Sequence, residues 1–138
     1  MTKKEVLKFV EKNPVFSLAT IDGDKPRVRL MMLAMVNENG LVFTTGRDKA
    51  VCKQMTANPA IEMCFYNADE GRQVRIEGKA EALDDLKLKK QIVEKFTFLI
   101  PWVEKEGYEV LAPYRVKNAK ATTWTMETNS EPKQYVEL

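Results

Sequence analysis

Between residues 15 and 83 the chain alternates short β-prone runs with turn clusters too short to carry a crossover. VFSLATI (15–21) runs into DGDKP, RVRLMMLAMV (27–36) into NENG, and AIEMCFY (60–66) into NADEGR. Parallel neighbours need a connection of a dozen or more residues, so turns of this kind force antiparallel pairing. LVFTT (41–45) adds a strand, and QVRIEGKAEAL (73–83) adds another, with Val74 and Ile76 opposing Arg75 and Glu77. Two later runs, YEVLAPYRV and AKATTWTME, are joined by Lys117-Asn118, which reads as a hairpin-like pair.

Three helices fit between these strands. A Thr-x-x-Glu capping box at Thr2 and Glu5 opens the first, Val6, Phe9 and Val10 share one face, and Pro14 ends it. Asp48 is placed to cap a second helix, KAVCKQMTA, which Asn58-Pro59 stops. Asp84 is placed to cap a third over about 85–99, with Pro101 as its breaker. The tail TNSEPKQYVEL is polar and expected to fray. Six or seven antiparallel strands with three helices predict one mainly β domain over 1–138, a closed or partly open β-barrel with helices packed outside.

Composition narrows the functions open to such a barrel. The chain has 138 residues, 44% apolar and 30% charged, the balance of a soluble globule. So small a chain buries a modest core, and an oligomer would help its stability. The net charge of +2 comes from 22 basic and 20 acidic residues, with no clustered basic face to attract nucleic acid. The longest apolar run, Leu30 to Val36, is far shorter than the roughly 20 residues of a membrane helix. The N-terminal stretch has no signal-peptide apolar region, so a cytoplasmic protein with Cys52 and Cys64 as free, inert thiols is expected. The chain contains no histidine. That removes Ser-His-Asp and Cys-His catalysis, histidine-ligated zinc or haem, and a histidine general base.

FTTGRDK (43–49) is the segment where chemistry concentrates: a β-prone run meets a glycine and two cations at the start of a helix. Such an arrangement holds an anion or forms a solvated turn. Four segments in sequence resemble the FMN-binding split-barrel proteins related to pyridoxamine 5'-phosphate oxidase. KPRVRLMM resembles that family's Pro-x-x-Arg strand, and GLVFTTGRDK its Gly-x-x-Phe-x-Thr segment leading to a cationic helix start. KQMTANPAIEMCF resembles its Asn-Pro helix stop and following strand, and RQVRIEGKAEAL its Gln-Val-Arg-x-x-Gly strand. The resemblance implies a six-stranded split β-barrel that forms a homodimer, with FMN at each of two inter-subunit sites.

Carried over residue by residue, Arg29 matches the arginine that reaches the FMN phosphate, and Thr44 and Thr45 match a flavin-contacting pair. Arg47 and Lys49 match cations at the helix start, across a shorter loop. Gln73 matches a glutamine near the pyrimidine edge of the flavin. Arg27, one alternation before Arg29 on the same strand, joins the candidates, although an Arg-Val-Arg alternation is also what a solvated face gives. Leu30, Met31 and Met32 are candidates for backbone groups and soft walls along the ring, and Gln54 reads as a helix surface group that can lean on it. Arg75 is a candidate for a positive charge near flavin N1. Trp102 and Trp124 read as core or dimer contacts.

A doubly charged phosphate favours the forked donors of an arginine, the point charge of a lysine and a helix N-terminus. Hydride transfer to a flavin needs no protein base, so the missing histidine is no obstacle. Two departures bear on substrate. Ala34 stands where the oxidase has a lysine five residues past the phosphate arginine. The oxidase's Arg-Pro-x-x-Ser substrate segment and its arginine- and tryptophan-bearing C-terminus are also missing. The resemblance thus implies an FMN-dependent oxidoreductase with an unidentified small substrate and NAD(P)H as a candidate reductant. A non-enzymatic flavin binder or electron carrier is the alternative, and a deazaflavin site or a bare scaffold a third.

Overall fold

The fold is that of a computed structural model describing residues 1–138. Seven strands run β1 Val15–Asp22, β2 Lys25–Asn37, β3 Gly40–Gly46, β4 Ala60–Asn67, β5 Arg72–Ala82, β6 Leu111–Thr125 and β7 Val136–Glu137. Four helices accompany them: α1 Lys3–Lys12, α2 Ala50–Ala57, α3 Leu86–Lys95 and α4 Ile100–Glu106. The sheet order is β3-β2-β1-β4-β5-β6-β7, and β3 also pairs with β6, which closes six antiparallel strands into a barrel.

β6 explains both the closure and the split. Its first third, Leu111–Arg115, pairs with β3. Further along, Lys120 and Ala121 pair instead with Glu137 and Val136 of β7. Along its other edge β6 follows β5 almost throughout, with a register shift between Glu77 and Lys79. Gly78 lies at that shift, where a Cβ would come within 2.6 Å of Val116 Cγ1 and 2.8 Å of the Lys117 carbonyl. Asn118 opposite adopts φ 55°. The Lys117-Asn118 pair is therefore a bulge within one strand and not a hairpin, because Asn tolerates the left-handed region without reversing the chain.

Alternation puts Phe16, Leu18, Phe43, Met63, Phe65, Val74 and Ile76 inside the barrel, each fully buried. Phe43 meets Phe16 edge-on at 5.7 Å and stacks on Tyr114 at 5.8 Å. α1 adds Val6, Phe9 and Val10 to this core, and α2 adds Val51, Cys52 and Met55. Outside the barrel, Leu88 and Ile92 of α3 pack on Ala34 and Val42. Val103 of α4 packs with Val93 and Leu111.

Four expectations about the elements change. Lys49 and not Asp48 occupies the N-cap of α2, with no side-chain cap. Asp85 and not Asp84 caps α3, accepting from the Lys87 and Leu88 N–H groups. The expected helix over 85–99 ends at Lys95, a 3-10 turn covers Thr97–Leu99, and Pro101 lies in the first turn of α4 and does not break a helix. A proline there costs nothing, since its missing N–H would have had no partner. The tail does not fray at its end: Val136–Glu137 form β7, and the Leu138 N–H donates to Ala119 O at 3.0 Å.

Candidate functional site

A cavity of about 300 Å³ lies between the barrel wall and the α3–α4 segment. Leu30, Met31 and Met32 of β2 line it, as do Thr44, Thr45 and Gly46 of β3 and Lys49 at the start of α2. Phe96, Phe98, Leu99 and Trp102 form the far wall, with Leu111 of β6 between. Lys49 is the only charged residue of the lining. Gly46 keeps this corner tight: a Cβ there would meet Trp102 Cη2 at 3.0 Å and Lys49 Cγ at 3.3 Å.

Two features of this cavity are incomplete within the chain. Thr44 Oγ1 is buried without a hydrogen-bond partner. A buried hydroxyl in that state costs about 1–3 kcal/mol, so it marks a place where an acceptor or donor belongs. α2 begins beside it with an extended Lys49 and no side-chain cap, leaving its first N–H groups and partial positive charge without a side-chain acceptor. An anion placed there would meet an ammonium, a helix start and a hydroxyl, while the rest of the cavity is apolar. That donor set fits the phosphate end of a flat, amphipathic cofactor, and the size falls at the lower end of ligand pockets.

Six of the sequence candidates thus gather in one place: Leu30, Met31, Met32, Thr44, Thr45 and Lys49. The others lie elsewhere. Arg29, directly opposite Leu18 across the β1–β2 ladder, does not line the cavity. It donates to Thr20 Oγ1 at 2.6 Å, Leu18 O at 3.3 Å and Gln54 Oε1 at 2.6 Å, and Thr20 donates to the same Gln54 oxygen at 2.6 Å. A guanidinium has five N–H donors, so this network leaves donors free. Burial, and then the like charge of Arg27, lower its pKa. An arginine keeps its charge at physiological pH all the same. Arg27 pairs at the surface with Asp22 at 3.1 Å. Arg47 donates to Glu109 O at 2.8 Å and Leu111 O at 3.1 Å, strapping the β3 end to the start of β6. Gln73 lies on the outer face of β5, paired across the ladders with Tyr66 and Trp124.

The aromatic wall was missed by sequence reasoning, which placed Phe96 inside one long helix and read Trp102 as a core or dimer contact. Its signal was available: KFTFLIPW (95–102) carries apolar residues at positions no single helix face can hold. Met31 and Met35 do pack against core clusters, but Met32 is exposed.

The outer face of the sheet is unusual for a monomer. Val28 and Leu30 are 70% and 73% exposed on it, with Met32, Val15 and Tyr66 alongside. On the same face Arg75 Nε is buried without a hydrogen bond, 4.0 Å from Glu62, and Thr122 Oγ1 is also unsatisfied. Burial raises the pKa of the Cys64 thiol, which is paired with Arg75 across the β4–β5 ladder, against the opposing effect of Arg75. Exposed apolar side chains gathered on one face are a feature that interaction surfaces share.

Comparison with known proteins agrees with this architecture. A family model described as Pyridoxamine 5'-phosphate oxidase matches residues 2–127. A pyridoxine/pyridoxamine 5'-phosphate oxidase of Pseudomonas putida is 42% identical over 73 residues, covering 52% of this chain and 34% of that protein. The match thus spans about a third of that relative's length. Among solved structures, a NimC/NimA family protein from Clostridium acetobutylicum superposes with a TM-score of 0.82 at 25% identity, covering 98% of this chain and 92% of that one. A protein of Mesorhizobium loti described as FAD-binding superposes with a TM-score of 0.65 at 18% identity, over 91% of this chain and 96% of that one. With a split barrel closed by β3 and β6, and a family match over nearly its whole length, the chain belongs to the pyridoxamine 5'-phosphate oxidase family.

Proposed function

We propose that this protein binds FMN with its phosphate at Thr44, Thr45 and Lys49, and that it acts as an FMN-dependent oxidoreductase. The observation that carries the reading is the orphaned Thr44 hydroxyl beside an uncapped helix start and a lone lysine, in a cavity otherwise apolar. The flavin-binding description of a structural neighbour and the family membership support it. Arg29 extends the clamp through its free donors, and Leu30 to Met32 supply soft walls for the ring. When bound, FMN supplies hydride and electron transfer, with NAD(P)H as a candidate reductant.

A homodimer belongs to the same reading. A second copy on the outer face would cover Val28, Leu30 and Met32. It would also bring Gln73, Arg75 and Trp124 of one protomer toward the flavin of the other. No helix is long and apolar enough to cross a membrane. The free cysteines Cys52 and Cys64 suit a reducing, cytoplasmic setting. A non-enzymatic flavin carrier is the second reading, favoured by one observation: no Asp, Glu, Cys or Tyr side chain lines the cavity.

The test is the visible absorbance of the purified protein, followed by mass analysis of what it releases on denaturation. The expected result is a flavin spectrum, a released mass equal to FMN and a dimer by light scattering. A colourless protein that gives no calorimetric heat on FMN addition contradicts the reading. Bound FMN with no NAD(P)H turnover on any acceptor selects the carrier.

A further inference from the structure

Arg29, Thr20 and Gln54 form a closed ring of hydrogen bonds, and chemistry fixes which atom faces which. A guanidinium only donates, so each of its partners must present an oxygen lone pair. Nη1 donates to Thr20 Oγ1 and Nη2 to Gln54 Oε1, each at 2.6 Å. Thr20 keeps its one proton, which it donates to the same Gln54 oxygen at 2.6 Å. The Gln54 amide oxygen therefore accepts twice. Together the two oxygens grip the end of the guanidinium where Nη1 and Nη2 lie, as the two oxygens of a carboxylate would.

The second Nη1 proton serves Leu18 O at 3.3 Å. What remains of Arg29 is Nε–H and one Nη2–H, which have no partner in the chain. These two donors run parallel along one edge of the planar group, the arrangement that takes two oxygens of a phosphate. The ring also ties three elements together: Thr20 on β1, Arg29 on β2 and Gln54 on α2. α2 carries Lys49 at its start, and Arg29 adjoins Leu30, so both ends of the ring lead to residues that line the cavity. An arginine already held in place gives up less rotamer freedom when it binds.

We infer that Gln54 and Thr20 are positioning residues, which hold the Arg29 guanidinium by its Nη1–Nη2 edge and so present its free Nε–Nη2 edge to the phosphate of the bound flavin. Neither side chain lines the cavity. The ligand in this role comes from the flavin reading, on which the proposal rests; the ring of hydrogen bonds does not depend on it.

Calorimetry with FMN and with riboflavin on the flavin-free protein gives a ratio of affinities that reports on the phosphate alone. The native ratio should favour FMN. Gln54→Met keeps the length of the side chain and removes the acceptor, so it should lower that ratio about fivefold. Arg29→Ala should lower it about tenfold, and adding Gln54→Met to Arg29→Ala should change it no further, since nothing is left to position. A purely structural effect of Gln54 would move riboflavin as much as FMN and would persist without Arg29. Thr20→Val and Thr20→Ser repeat the test should Gln54→Met not fold: the valine should lower the ratio, and the serine, which keeps the hydroxyl, should retain it. A native ratio kept in Gln54→Met or in Thr20→Val, or an equal fall with Arg29 absent, overturns the positioning role and leaves the flavin reading standing. A native protein that binds both ligands equally, or neither, overturns the two together.

Discussion

Phe43 and Thr44 are neighbours on β3 and belong to opposite kinds of environment. Phe43 is fully buried between Phe16 and Tyr114, with every contact supplied by the chain itself. Thr44 is turned to the cavity with a buried hydroxyl that nothing satisfies. The barrel interior is complete, while the cavity beside it has an orphan hydroxyl, a bare helix start and an exposed ring. A chain that packs one face of a strand so fully could have closed the other with a valine. The difference supports the proposed reading of the cavity as a binding site, and under that reading stability and binding should respond in opposite ways on the two faces.

The largest effect should come from the complete side. Phe43→Ala opens a void between the Phe16 and Tyr114 rings and should cost about 3–5 kcal/mol in denaturant unfolding. Flavin affinity, measured on the fraction still folded, should change little by comparison. A loss near that of a surface substitution would break the contrast.

On the incomplete side the sign reverses. Thr44→Val keeps the shape and removes the orphan hydroxyl, so the flavin-free protein should gain about 1 kcal/mol or more. The same change removes a phosphate donor, so FMN binding by calorimetry should weaken. Stability and affinity falling together would show that Thr44 already has a partner in the folded chain.

Tyr114 sharpens the comparison most finely, because it joins the core to a polar bond. Its hydroxyl shares a 2.9 Å hydrogen bond with Cys52 Sγ. Burial, and then that bond, push its pKa up to about 12 from 10.0. The folded value lies above the unfolded one, so this contribution is whole below pH 10.0 and is lost as pH rises toward about 12. Tyr114→Phe should cost about 0.5–1 kcal/mol at neutral pH and flatten the alkaline loss of stability. An unchanged slope in the variant would assign that loss to other groups.

Much of the barrel was legible because its signals are local. Alternation fixed which residues of β1, β4 and β5 face inward, and the turns carry glycines at positive φ, Gly23 at 66° and Gly71 at 58°. The capping box of α1 was legible for the same reason. β6 was not, since an Asn at positive φ reads as a turn until the bulge opposite Gly78 shows the strand running on. Caps were misplaced by one residue where two acids or a mixed-charge pair compete, as at Asp84 and Asp85 or Asp48 and Lys49.

Half of the candidate site was legible for a different reason. Leu30 to Met32, Thr44, Thr45 and Lys49 follow from strand order and the resemblance. The wall of Phe96, Phe98 and Trp102 depends on α3 stopping at Lys95, a break that KFTFLIPW signals only by carrying apolar residues no single helix face can hold. Arg29 and Gln54 were singled out separately, yet they are bonded to each other, which no spacing in the sequence announces.

The central claim, that the cavity takes a phosphate-bearing flavin through Lys49 and its neighbours, is tested most directly by comparing FMN with riboflavin. Calorimetry on the native protein and on Lys49→Ala gives four affinities from two ligands that differ only in the phosphate. The account predicts that the native protein prefers FMN, and that Lys49→Ala loses about tenfold for FMN, ~1.4 kcal/mol, while riboflavin binding is little altered. Equal affinity for both ligands in the native protein, or an FMN affinity indifferent to Lys49, would contradict it.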